Sequence, residues 1–213
     1  MIRPFLRLTT MIIVSVLALL SSAALASVEK ANLFIEQISV QALEVIESDL
    51  NDEGKIDKLN TLFSASVDTP WMAQYVLGDH WSELSPNSRT SYLQLYDEFL
   101  MYTYVPKFRS YNNQIVTIIN TLHNETAPNE FVVQTQISDT DGKVFDIDYH
   151  LRQQANGDFR IFDINARGVS LITTQRSDFS SLVDRKGLDF FLKKLKKRVE
   201  KIKQEGKLKS SSS

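Results

Sequence analysis

The 213-residue chain contains no cysteine. That excludes a disulfide framework, a thiol nucleophile, any Cys-ligated zinc or iron–sulfur site, and a lipid-modified N-terminal cysteine. Glycine is scarce too: there are seven, and the closest pair, Gly157 and Gly168, stand 11 residues apart. Without clustered glycines there is no dinucleotide fingerprint, no phosphate-cradling loop and no Gly-x-Ser-x-Gly elbow, which speaks against ATP use and against the commonest hydrolase nucleophile. Only three histidines are present, His80, His123 and His150. Neither sign of charge dominates, with 24 Lys and Arg against 26 Asp and Glu. The usual catalytic inventories are therefore thin. What remains, 43% hydrophobic and 23% charged residues, is ordinary globular composition.

The first 26 residues read as a cleavable export signal. Arg3 and Arg7 make a basic start, residues 11–20 (MIIVSVLALL) an apolar run, and Ala24-Leu25-Ala26 a small-residue cleavage site before Ser27. An uncleaved anchor is the competing reading, but the serines interrupt a run that would need about 20 apolar residues to span a bilayer. Cleavage would leave 187 residues of charge −4, one domain's worth, exported and suited to a bacterial periplasm.

The periodicity predicts an amphipathic helix over 28–50, a break at Asn51 to Gly54, and a short helix carrying Ile56, Leu59, Leu62 and Phe63. Thr69-Pro70 and Ser85-Pro86 each read as a cap followed by proline at the first helical position, opening helices that end at Gly78 and near Val105, ahead of Pro106. The period then shortens. Residues 115–122, 131–137, 144–151 and 159–165 read as strands, the last three joined by Asp141-Gly142 and Asn156-Gly157 hairpin turns. Phe145, Ile147, Tyr149 and Leu151 alternate with Asp146, Asp148, His150 and Arg152, as expected of a sheet buried on one face and wet on the other. After Gly168 the chain returns to helix, split at Gly187. Residues 190–213 carry +7 and end in a basic tail, 204–213, expected to be frayed. The predicted architecture is α+β: a four-stranded antiparallel meander packed against a layer of helices.

Several groupings could carry chemistry, and each has a plainer reading. Asp146, Asp148 and His150 share one strand face at possible metal-ligand spacing, but alternation alone generates such a row, and no metal is expected. Asp139 to Gly142 has the composition of a calcium loop, yet the first ligand position is Ile137, so it reads as a hairpin turn. His80 with Glu83 is weak evidence for acid–base work. Asn124-Glu125-Thr126 is a glycosylation sequon with meaning only in a eukaryotic secretory route. The lysines of the tail suit either an anionic surface or simply the negative end of a helix. Nucleic acid is disfavoured, because the body of the chain is acidic and exported.

The positive signal is apolar and aromatic surface on both a helix and a facing sheet, which fills either a core or a pocket. Leu77-Gly78-Asp79-His80-Trp81, then Tyr149 to Leu151, Phe159-Arg160-Ile161-Phe162-Asp163-Ile164, Gly168-Val169-Ser170-Leu171, Arg176, Phe179 and Gly187 resemble, in order and spacing, the MlaC family of periplasmic phospholipid-binding, toluene-tolerance proteins. The resemblance covers roughly residues 28–203; Phe159 stands where the family usually has tryptophan.

That resemblance implies a deep apolar cavity between helices and sheet that takes phospholipid acyl chains, with the headgroup near solvent. It implies a single domain over 27–203, a monomer without cofactor. It also implies shuttling between an outer-membrane lipoprotein–porin complex and an inner-membrane ABC transporter bearing an MCE-domain subunit, which maintains outer-membrane lipid asymmetry. Exposing two chains of about 15 methylenes to water costs on the order of 24 kcal/mol, so such a lipid crosses water only inside a carrier. The residues expected to line the cavity are Tyr75, Tyr92, Tyr96, Phe99, Leu100 and Tyr104 from the helices and Val133, Phe145, Ile147, Tyr149, Ile161 and Val169 from the sheet; each is equally open to plain core packing. Two other classes stay in view: a pocketed periplasmic enzyme of cone-like α+β form using Asp163 or Tyr149 as acid–base group, and a periplasmic chaperone or adaptor.

Overall fold

The computed structural model describes residues 4–108, 114–138 and 142–210, with side chains at 25–106, 114–138 and 142–205. Helix α1 (Pro4–Glu47) runs as one continuous element of 44 residues. Its later half buries Ala31 and Ile35 and sets Phe34 against Phe159 at 6.0 Å. The expected break at 51–54 is the start of the next helix: the Asn51 side chain accepts from Gly54 N at 2.9 Å and so caps α2 (Asp52–Ser66). Asp52 and Glu53 then sit where the helix dipole favours acids.

Helix α3 (Thr69–Leu77) is capped by Asp68 rather than Thr69. Thr69 lies inside the first turn and donates instead to Asp97 at 2.7 Å. Gly78 ends α3 at φ 60°, ψ −131°, a conformation only glycine holds without strain. A Cβ there would come within 2.8 Å of the Arg176 guanidinium, which donates to the Tyr75 carbonyl. A 3-10 turn, Gly78–Trp81, leads on to α4 (Pro86–Phe108), capped by Ser85 as expected. That helix continues past Val105 to include Pro106. In the last turn the proline forfeits a single intrahelical hydrogen bond, and the helix stops two residues later.

The sheet has five antiparallel strands in sequential order: β1 (Ile115–His123), β2 (Glu130–Ser138), β3 (Val144–Gln153), β4 (Phe159–Ala166) and β5 (Val169–Ser170). The fifth was missed because two residues are too few to show alternation. A tight turn at Arg167-Gly168, with φ 54° and 80°, folds β5 back on β4. Gly157 supplies φ 91° for the expected β3–β4 hairpin, whereas Asp139 to Asp141 lie outside the described residues.

Two irregularities shape the sheet. The β1–β2 register slips between Ile118 and Asn120. On β4, Leu151 pairs with Ile161 and His150 with Asp163, so Phe162 is a bulge residue. The bulge puts Ile161 and Ile164, three apart, on one face, which a regular strand cannot do.

Helices α5 (Leu171–Lys186) and α6 (Leu188–Ser210) close the fold on either side of Gly187. The α6 backbone is helical to Ser210, beyond the boundary at 203, since its lysines and glutamates are good helix formers. Helices α3 to α6 pack an aromatic core, in which Tyr96 meets Phe179 edge-on at 6.4 Å and Phe179 lies 4.9 Å from Phe191. Both buried phenols in it have acceptors: Tyr92 donates to the Ala73 carbonyl and Tyr96 to Gln175 Oε1. Burial pushes both tyrosines above their ordinary pKa. Helices α1 and α2 instead face the sheet and the end of α4.

His80 joins the 3-10 turn to α5. Its ring nitrogens lie 2.8 Å from Glu83 and 3.1 Å from Asp184, and the hydrogen bond to Glu83, opposed in part by burial, raises its pKa above 6.5. A pKa raised on folding stabilises the protein below the unfolded value, an advantage lost as pH climbs through the folded one. His80→Gln should therefore lower the melting temperature most between about pH 5 and 6.5, above the carboxylate range. Parallel melts on phosphate and acetate buffers should show the gap to wild type closing as pH rises toward 8.

Candidate functional site

Where α1, α2 and the end of α4 lean over the sheet, side chains do not fill the space. A cavity of about 530 Å³ remains, within the usual range for small-molecule sites. Ile38, Ala42 and Ile46 recur at four-residue steps along one face of α1 and form the first wall. Leu59, Leu62 and Phe63 of α2 form the second, and Leu100, Tyr104 and Val105 of α4 the third. The floor is the sheet: Val116, Tyr149, Ile161, Ile164 and Ala166, with Val169 and Leu171 at the β5–α5 corner. The bulge at Phe162 is what lets both isoleucines of β4 reach this floor.

Three of the hydroxyls in the walls are turned into the protein. Ser39 donates to the Ile35 carbonyl at 2.8 Å, Thr174 to the Ser170 carbonyl at 2.8 Å, and Ser170 to Asp163 at 2.6 Å. Tyr104 is half-buried, and burial raises its phenol pKa against the opposing pull of Gln175 and Arg198. The cavity thus offers hydrocarbon surface and almost nothing that can donate or accept. The lining residues exposed to solvent are Ala166 and Val169 at the β4–β5 hairpin and Thr174 on α5, with Val169 keeping 60% of its surface in solvent.

Five of the twelve residues expected in a cavity wall are there: Leu100, Tyr104, Tyr149, Ile161 and Val169. The other seven lie elsewhere. Tyr92, Tyr96 and Phe99 belong to the aromatic core, and Tyr75 stacks on Trp71 at 5.2 Å. Val133 is fully buried opposite Tyr149, while Phe145 and Ile147 sit half-buried on the same sheet face outside the wall. The contribution of α1 and α2 was missed entirely. Its signal was the stripe at 38, 42 and 46, visible as a helix face but without any mark of what it faces.

Of the two acid–base candidates, Tyr149 lies in the cavity floor, whereas Asp163 is committed to structure. Asp163, 5% exposed, accepts from Ile164 N and Ile172 N through Oδ1 and from Ser170 Oγ through Oδ2. Asp146 accepts from Gln136, and His150 meets Phe162 edge-on at 6.0 Å, so the strand row faces outward. Among the described residues no three His, Asp or Glu side chains converge on a metal position. Among them, too, no helix is long and apolar enough to cross a membrane. On α6, Lys203 pairs with Glu98 at 2.9 Å and Arg198 lies over Phe99 at 5.9 Å, so part of the basic stretch is used inside the domain.

Compared with known proteins, residues 36–197 match the model of the MlaC protein family. The chain belongs to the MlaC family. The matched stretch spans every wall of the cavity, from Ile38 to Thr174. Among solved structures, the chain shares its fold with the phospholipid-binding protein of Ralstonia solanacearum, determined in complex with a phospholipid. The TM-score is 0.69 at 20% identity, over 80% of this chain and 97% of that one. That likeness is one of fold: a helical layer over an antiparallel sheet.

Proposed function

We propose that the protein is a phospholipid carrier of the bacterial periplasm, a binding and transport protein and not an enzyme. The single observation that supports this is the hydrocarbon-lined cavity between α1, α2, α4 and the sheet. Each methylene moved from water into it gains about 0.8 kcal/mol, so acyl chains are the natural occupants. The scarcity of polar surface in the walls suits a cargo whose polar part stays outside. In the fold neighbour a phospholipid is bound, which is consistent with the same cargo here.

Residues 1–26 act in this reading as an export leader removed before Ser27, leaving the domain over 27–203. The carrier exchanges lipid with an outer-membrane lipoprotein–porin complex and with an inner-membrane ABC transporter bearing an MCE-domain subunit, and so maintains outer-membrane asymmetry. The full chain expressed in a bacterium, isolated without detergent and extracted with organic solvent, should yield stoichiometric phospholipid by mass spectrometry. The intact mass should begin at Ser27. Turnover of the lipid would favour the pocketed enzyme, and an empty protein that binds peptides would favour the chaperone; either overturns the carrier.

A further inference from the structure

Resting on the carrier reading, we infer that Arg167 is the anchor for the lipid's phosphodiester at the mouth of the cavity. Its two flanks set its position. Ala166, on one side, and Val169, two residues on, both line the cavity, so Arg167 occupies the lip of the opening. The residue is exposed, and its backbone N–H donates to the Asp146 carbonyl at 3.2 Å, pinning the lip to β3.

Arg167 is the only non-glycine residue in the left-handed region among the described residues, at φ 54°. Asparagine, aspartate or glycine would hold that turn with less strain; arginine gains nothing from it locally. Its guanidinium lies over the Phe145 ring at 4.7 Å, which holds the side chain against the core-facing side of the sheet. In register, Phe145 pairs with Ile137, the partner of Val116 in the cavity floor. Among the described residues the guanidinium has no carboxylate partner. Arg152, by contrast, is held by Glu130 at 2.9 Å.

An aromatically braced guanidinium beside a hydrocarbon opening matches an amphiphile with an anionic group at the root of its chains. Guanidinium forks suit phosphate oxygens, two donors to two acceptors. The phosphodiester is common to phospholipids with different headgroups, so the site selects phosphorylated over uncharged lipids of the same chain length, not one headgroup over another.

The test is competition for the delipidated full-length mature protein between dioleoylphosphatidylglycerol and dioleoylglycerol, with Arg167→Asn as the main variant. Asparagine relaxes the turn, so loss of binding cannot be put down to misfolding. Wild type should prefer the phospholipid, and Arg167→Asn should lose about tenfold of that preference while binding dioleoylglycerol as before. Arg167→Lys, which keeps the charge without the fork, should fall between. An unchanged preference in Arg167→Asn overturns the assignment and leaves the carrier standing. Failure of wild type to bind either lipid overturns the carrier itself, and this assignment with it.

Discussion

An Ala42→Trp protein should leave the cell folded and without its lipid. Ala42 sits half-buried on α1, midway along the cavity wall between Ile38 and Ile46. An indole there has open space to enter, so the solid core need not move. What it displaces is cargo. Excluding about four methylenes from contact removes roughly 3 kcal/mol, more than a hundredfold in affinity. Solvent extraction followed by mass spectrometry should find little or no phospholipid, and the circular dichroism and melting curve should stay near those of the unloaded wild type. Tyr149→Asp, which puts a carboxylate into the floor, should empty the cavity by desolvation instead of bulk. Full lipid occupancy in both variants would mean that the chains lie somewhere else.

The largest loss of stability should come from Asp163→Ala. This carboxylate lies at the junction of β4, β5 and α5. Through Oδ1 it accepts from Ile164 N at 2.8 Å and Ile172 N at 3.1 Å, and through Oδ2 from Ser170 Oγ at 2.6 Å. Ser170 is in turn the cap of α5, accepting from Thr173 N. Removing the carboxylate strands two backbone donors in a dry place and loosens the cap, at about 1–3 kcal/mol for each unsatisfied group. We expect a total near 4 kcal/mol, seen as a drop of roughly 10 °C in melting temperature for a domain of this size. Asp163→Asn, which retains an acceptor, should lose about half as much. A melting point within 2 °C of wild type for Asp163→Ala would refute this account of the junction.

The elements that were legible in the sequence are those whose side chains keep one period. The β3 alternation from Phe145 to Leu151, the turn at Asn156-Gly157 and the stripe of α6 all fix both structure and facing. Trouble came where a local rule competed with a neighbour. Thr69 looks like a cap until Asp68 is seen to do that work while Thr69 reaches Asp97. Pro106 looks like a stop, but in a last turn it costs little.

The site was harder for a different reason. Apolar residues on α4 point two ways: Leu100 and Tyr104 into the cavity, Tyr92, Tyr96 and Phe99 into the bundle with α5 and α6. Composition cannot separate a hollow from a core, since both are made of the same side chains. Ile164 was invisible as a wall residue because strict alternation sends it away from Ile161; only the Phe162 bulge brings it round.

The two borders of the sheet are also worth following outward. One border, β5, is two residues long, and the other, β1, loses its register after Ile118 while holding Ile115, Ile119 and Leu122 toward solvent. A straight, greasy ribbon of that length would be an invitation for copies to zip together into fibrils. The slip at Ile119 breaks the run of evenly spaced backbone donors and acceptors that such stacking needs, which blunts this rim as a template for a second strand.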